Sequence, residues 1–348
     1  MPDTLHTDTP HSPTDATTPN SKDWVRLLSR YRAPTIRRSL FELCVTLIPF
    51  LALWALAWWA LSISPWLATA IAVLNGAFLV RLFMIQHDCG HGAFFANRHV
   101  SDWVGRALGV LTITPYDVWR QTHAIHHAST GNLDRRGVGD LPTLTVQEYR
   151  NRSRWGRLGY RLVRNPLILF GLGPIYIFII KNRIPAGLMR IAKYWTSAMA
   201  TNLAIALALT VIIYFGGLKP VLLIFLPTAV TGAAIGVWLF YIQHQFEDAH
   251  WQHEEDWQIH DAALHGSSYY DLPGVLRWFS GNIGIHHVHH LYSRIPFYRL
   301  TEVLRDHPVL ATVQRMTLRD SLACARLHLW DEDSQQLVSF AKARRLAV

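Results

Sequence analysis

The 348-residue chain is half apolar, only 16% charged and carries 14 tryptophans, which excludes an ordinary soluble enzyme and indicates a membrane protein. Its net charge of +9 raises the question of nucleic acid, but the basic residues flank apolar runs and form no patch interleaved with aromatics, so a membrane surface is the expected neighbour and nucleic acid is not. Three scattered cysteines, Cys44, Cys89 and Cys324, fit a reducing compartment and rule out both a disulfide framework and a CxxC zinc pair.

Residues 1–22 are rich in Thr, Pro, Ser and Asp, lack an apolar core, and read as a disordered cytosolic tail and not as a signal peptide. The remainder, 23–348, reads as a single membrane domain. A cluster of Lys and Arg leads into a first apolar span at about 43–63, and the uncharged Ser64-Pro65 link turns the chain into a second at about 66–84. So short a link returns the chain to the side it came from. There the first histidine box stands, His87-Asp88-Cys89-Gly90-His91.

Residues 99–114 alternate apolar and charged side chains in helical fashion, predicting an amphipathic piece at the interface that feeds the second box, His123-Ala124-Ile125-His126-His127. Residues 135–140 read as a loop. The run 166–180 is apolar but short and broken by Gly171, Gly173 and Pro174, so it is expected to be re-entrant or to lie on the surface. Two further spans, at about 194–215 and 221–242, are joined by Gly216-Gly217-Leu218-Lys219-Pro220, and His244 follows the last of them. Basic residues crowd the inner flanks while the outer links hold only Lys219, which places both termini and every box in the cytoplasm. The expected fold is therefore an all-α membrane protein, with four transmembrane helices in two hairpins. A cytosolic helical cap, 85–193 with 243–348, carries the histidines. In that cap the acidic stretch from Glu247 to Asp271 precedes the third box, Gly281-Asn282-Ile283-Gly284-Ile285-His286-His287-Val288-His289-His290.

On a helix, histidines at i, i+3 and i+4 share an arc of about 100°, so each box aims its imidazoles at a common point. Neutral imidazole is a general metal ligand, and eight of them are too many for one ion and about right for two. Zinc takes four ligands, copper would usually bring sulfur, and Cys89 lies on the far side of its helix; two iron ions with open positions fit best. Such iron activates O2 against an unactivated C–H bond of a greasy substrate. Taking His286 as the origin, His289 falls at about −60° and His290 at about +40°, whereas His287 falls at about +100°, outside the ligand arc. Asp88 is placed to fix the tautomer of a ligand. His250, His253, His260 and His265 lack helical spacing and read as solvated, as do Glu247 and Asp248. His6, His11, His99, His307 and His328 read as surface or interfacial residues.

The boxes HDCGH, HAIHH and GNIGIHHVHHL resemble those of the integral-membrane fatty acid desaturases, and residues 130–137, 241–248 and 329–333 are similar to the bacterial acyl-lipid branch. The resemblance covers roughly residues 35 to 340. It implies a cytosolic di-iron site, O2-dependent insertion of a cis double bond into a lipid-bound acyl chain, and electrons from a ferredoxin-like carrier. In this chain it assigns the iron to His87, His91, His123, His126, His127, His286, His289 and His290, with His244 as the family's extra ligand. It gives Asn282 a metal-bound water and permits the doubled histidine of the third box, leaving open which of His286 and His287 binds metal; the helical arc is what gives His287 a supporting role. A bacterial inner membrane is the implied location. Hydroxylases and ketolases share these boxes, and a receptor with a histidine-bound zinc is the non-catalytic alternative; neither the double-bond position nor the lipid head group is written in the residues.

Overall fold

The computed structural model describes residues 20–346. The expected tail falls outside that range except for its last residues, which cap and open the first helix, α1 (Ser21–Leu28), through an Asn20–Asp23 capping box. Among the described residues four helices are long and apolar enough to cross a membrane: α2 (Ile36–Ala60), α3 (Pro65–His91), α8 (Ala192–Gly216) and α9 (Leu218–His244). Between α3 and α8 lie α4 (Arg98–Leu111), α5 (Tyr116–Ser129), α6 (Val146–Asn151) and α7 (Arg154–Val163). The chain is an integral membrane protein of four spans in two hairpins.

The spans are longer than hydropathy marks them, for two physical reasons. At its start α2 absorbs Arg37, Arg38 and Glu42, because buried Glu42 pairs with buried Arg81 of α3 as well as with Arg38. At their far ends α3 and α9 continue past their apolar stretches until something stops them. In α3 that is Gly92, whose left-handed φ of 68° caps the helix, so the first box is the last turn of the span and not a sequel to it. His244 is likewise the final residue of α9.

Helix α3 is the hub, packed between α2 and α9. Gly76 and Gly232 let it approach α9 so closely that a Cβ on Gly76 would stand 2.7 Å from Thr231 Cβ. Asn75 donates to the Phe50 carbonyl at 3.1 Å and Thr228 to the Ala72 carbonyl at 3.0 Å, satisfying polar groups where no water is at hand. The amphipathic α4 appears as expected, and Gly105 in it gives way to the Tyr116 ring, which opens α5. The Tyr116 hydroxyl bridges the Cys89 carbonyl (2.9 Å) and the Asp102 carboxylate (2.8 Å), locking the second box beside the first. The start of α8 rests on α5 through Tyr194 and Gln121, 3.0 Å apart.

The run expected to be re-entrant or surface-lying is a helical segment, Ile168–Arg183, bent 59° from α7. Among its described residues the cap also holds five short strands that helical patterning does not anticipate. β1 (Leu144–Thr145) pairs in parallel with β4 (Leu329–Asp331), which pairs antiparallel with β5 (Gln336–Val338), while β2 (Tyr269–Asp271) runs parallel to β3 (Arg315–Thr317). The Leu-Trp-Asp near the C-terminus thus has a structural job, with Trp330 among the most buried side chains.

Candidate metal centre

Each histidine owes its position to a helix end or a helix turn. His87 and His91 stand one turn apart at the end of α3, His123, His126 and His127 on the last turns of α5, His244 at the end of α9, and His286, His289 and His290 on a short helix, His286–Leu291. That last helix is held by backbone bonds from His286 and His287 to the Ser268 carbonyl, and by Gly284, where a Cβ would meet the Tyr270 carbonyl at 2.3 Å.

All nine histidines come together, but at two points and not one. His87, His91, His123, His127 and His289 form one group, and His126, His244, His286 and His290 the other, with the ligand atoms of each group within 4.8 Å of one another. The second and third boxes are split between them: within each, the two histidines four apart serve one group and the remaining one turns to the other. The groups touch where His127 and His290 stack at 4.0 Å.

Within the first group, Nε2 of His91 and His123 are 3.0 Å apart, His123 and His127 3.1 Å, and His127 and His289 3.1 Å. In the second, His244 and His286 are 3.0 Å apart and so are His286 and His290. A neutral imidazole nitrogen either donates or accepts, so a run of nitrogens each facing the next cannot be satisfied by hydrogen bonds alone. A cation satisfies all of them at once. Metal–nitrogen bonds of about 2.1 Å meeting at right angles place their nitrogens about 3.0 Å apart, the separation found here.

The second ring nitrogens are held from behind. His87 Nδ1 faces Asp88 Oδ1 at 3.2 Å, and the other oxygen of Asp88 accepts the Phe297 N–H at 2.7 Å. His244 Nδ1 donates to the Gly266 carbonyl at 3.2 Å, and His126 Nδ1 bonds to Asp140. These contacts leave Nε2 as the free donor atom; that of His126 is buried with no hydrogen-bond partner. Burial, reinforced by the neighbouring imidazoles, holds His123, His127, His286, His289 and His290 well below the ordinary histidine range, so they stay neutral with lone pairs available. The Trp119 ring stacks on His123 at 4.6 Å and closes the side of the first group.

His287 belongs to neither group; its Nε2 donates to the Leu310 carbonyl at 2.8 Å and burial pushes its imidazole down to about 4. Asn282 spends its amide on the Phe297 carbonyl at 2.9 Å. His250, His260 and His265 stay outside both groups, and so does exposed His253, which reaches Asp134 at 2.9 Å and Glu332 at 3.1 Å. His99, His307 and His328 are also apart, while His6 and His11 lie outside the described residues. Asp140 and Trp119 are residues of the site that no sequence pattern marks, Asp140 because it stands in a plain loop. The only local signal is Gly139, whose φ of 75° brings the loop within 2.7 Å of the Thr122 carbonyl on α5, counted from where its Cβ would be.

The pattern of conserved positions that defines the fatty acid desaturases matches residues 64–318, which includes all nine histidines. The chain belongs to the fatty acid desaturase family. The desaturase is 44% identical over 329 residues to the "Fatty acid desaturase" of Bacillus subtilis, covering 94% of this chain and 93% of that one. It is also similar to the "sn-1 acyl-lipid omega-3 desaturase (ferredoxin)" of Synechocystis, at 30% identity over 70% of this chain and 68% of the relative. The "sn-1 oleoyl-lipid 12-desaturase" of the same organism is 27% identical over 73% and 70%. The protein is accordingly an oxidoreductase acting on fatty acids, and its buried histidine groups are suited to hold metal.

Proposed function

We propose that the two histidine groups hold two iron ions and that the desaturase inserts a cis double bond into an acyl chain carried by a membrane lipid. The observation that carries this reading is the pair of all-nitrogen groups, one of five imidazoles and one of four, with Nε2 atoms converging in each. In balance, the acyl –CH2–CH2– unit loses two hydrogens while O2 takes those two, with two electrons from a carrier and two protons from water, and leaves as two waters. Iron bound there supplies the oxygen chemistry that an unactivated C–H bond requires. Asp88, the Gly266 carbonyl and Asp140 set the tautomers of His87, His244 and His126, so that each ring presents Nε2 without rearrangement. Burial of His87 and His289, and of His126, His244 and His286 in the second group, limits the access of water to them, while His91, His123 and His127 are half-buried.

The lipid-bound substrate and a ferredoxin-like donor are supported by the names of the Synechocystis relatives. The sequence itself offers no Rossmann fingerprint, haem attachment motif or iron–sulfur cysteine set, so the electrons come from outside. The basic inner flanks support a cytoplasmic cap on a bacterial inner membrane. Expression in a bacterium whose lipids are saturated, followed by mass spectrometry of phospholipid acyl chains, is expected to show new cis double bonds. Hydroxylated chains, or no change with the protein fully folded in the membrane, would overturn the assignment.

A further inference from the structure

Helix α7 has three faces: one is packed on the protein, one is bare, and the third is basic and reaches the protein only through uncharged partners, Arg161 donating to the Tyr149 hydroxyl at 2.6 Å and Arg157 to the Arg150 carbonyl at 3.2 Å. Tyr160 and Arg164 point inward: the Tyr160 hydroxyl donates to the His328 carbonyl at 2.6 Å, and Arg164 donates to Gln245 Oε1 at 2.7 Å. Gln245 is the residue after the last one of α9, so this anchor sets α7 at the level where the fourth span ends. The following segment stays against that span, with Phe170 packed on Trp238 at 4.9 Å and on Tyr241 at 5.2 Å.

The second face is apolar and bare. Trp155, Leu158 and Leu162 lie within an arc of about 60° at helical spacing. Trp155 is 81% exposed, and Leu167, at the bend into the next segment, is 81% exposed. The third face, on the flank of that stripe, is basic: Arg154, Arg157 and Arg161, continuous with Arg150 and Arg152 just before the helix. Glu148 is the only acidic residue between 146 and 163, and it is taken up by Arg136 and by the cap of α6. Among the described residues no carboxylate pairs with any of these five arginines.

We propose that α7 lies in the lipid–water boundary of the cap side, with Trp155, Leu158 and Leu162 in the outer acyl layer and the arginine flank on the phosphates of anionic phospholipids. Two things favour lipid over a soluble acidic protein. The bare stripe is continuous, through the 59° bend, with an apolar segment packed on a membrane span, and the anchor at Gln245 fixes the helix at the depth of the head groups. The uncompensated charge on its flank matches an anionic lipid surface, where each arginine shifts binding about five-fold.

The test uses the full chain in lipid nanodiscs, with a nitroxide at Leu158→Cys in a Cys44→Ser background. Nanodiscs of phosphatidylcholine are compared with others containing phosphatidylglycerol, and depth is read from the relative access of O2 and a water-soluble nickel chelate. The label is expected just below the phosphates and to become deeper and less mobile with phosphatidylglycerol. Arg152→Gln with Arg154→Gln, two exposed residues with no side-chain hydrogen bond to lose, should abolish that shift. A label open to the nickel chelate in both lipids, or shielded only on adding an acidic electron carrier, would overturn the proposal. So would a label as deep as one at Leu207 in the middle of α8, which would make α7 half of a broken span, or a shift that survives loss of both arginines.

Discussion

Replacing Asp140 by alanine tests how the second histidine group is held. The carboxylate bonds His126 Nδ1, and both residues are buried, so no water can take its place without rearrangement. A hydrogen bond to a charged group is worth about 1.5–3 kcal/mol, which translates to a 10- to 100-fold loss of metal affinity or activity, the range found for carboxylates behind ligating histidines. Asp140→Ala is therefore expected to keep the fold, lose metal from the group of His126, His244, His286 and His290, and fall at least 10-fold in desaturation. Asp140→Asn should sit between, because its amide oxygen can still accept from Nδ1 but carries no charge. Metal content of purified protein and acyl-chain analysis of host lipids read the two effects separately. If Asp140→Ala kept both full metal and full turnover, His126 would be oriented by something else and the account of this group would fail.

His287→Ala should retain measurable desaturation, since its ring serves the Leu310 carbonyl, whereas His286→Ala, His289→Ala and His290→Ala should show none; lipid analysis of the four strains decides. Gly105→Ala would drive a Cβ to 2.3 Å from the Tyr116 ring and push α5 away from α4, costing about 1–3 kcal/mol as overpacking does; the thermal midpoint should drop, and an unchanged midpoint would show that the contact is slack. Burial, with Arg164 nearby, pushes the His328 imidazole down to about 4. Because the unfolded chain takes up this proton first, at about 6.5, the stability involved is complete above that value and is lost as pH falls toward about 4. His328→Phe should flatten this acid limb in thermal melts of the metal-free protein, and an identical limb would place the titration elsewhere.

How far the sequence could be read depended on how local each signal was. The four spans show in hydropathy because each needs only its own residues, and the helical arc singled out His287 because three neighbours on one turn suffice for the geometry. The start of α2 at Ile36 was hidden because Glu42 is tolerated there only through Arg81 on another helix. The division of the boxes into two groups was hidden for a similar reason: the wheel gives each imidazole a direction but not a partner, and His126 turns from its neighbours because His244 and His286 stand on its other side. Asp140 meets His126 across a loop, and Leu329–Asp331 becomes a strand only on meeting Leu144 and Thr145, far back in the chain. Neither contact leaves a periodic trace.

The most direct measurement is the metal content of the purified full-length desaturase by inductively coupled plasma mass spectrometry, alongside the His244→Ala variant. Two irons per chain are expected in the natural protein, with His244→Ala losing iron from its group and losing desaturation. One zinc per chain, or a His244→Ala variant that keeps all its iron and its turnover, would contradict the two-group iron site.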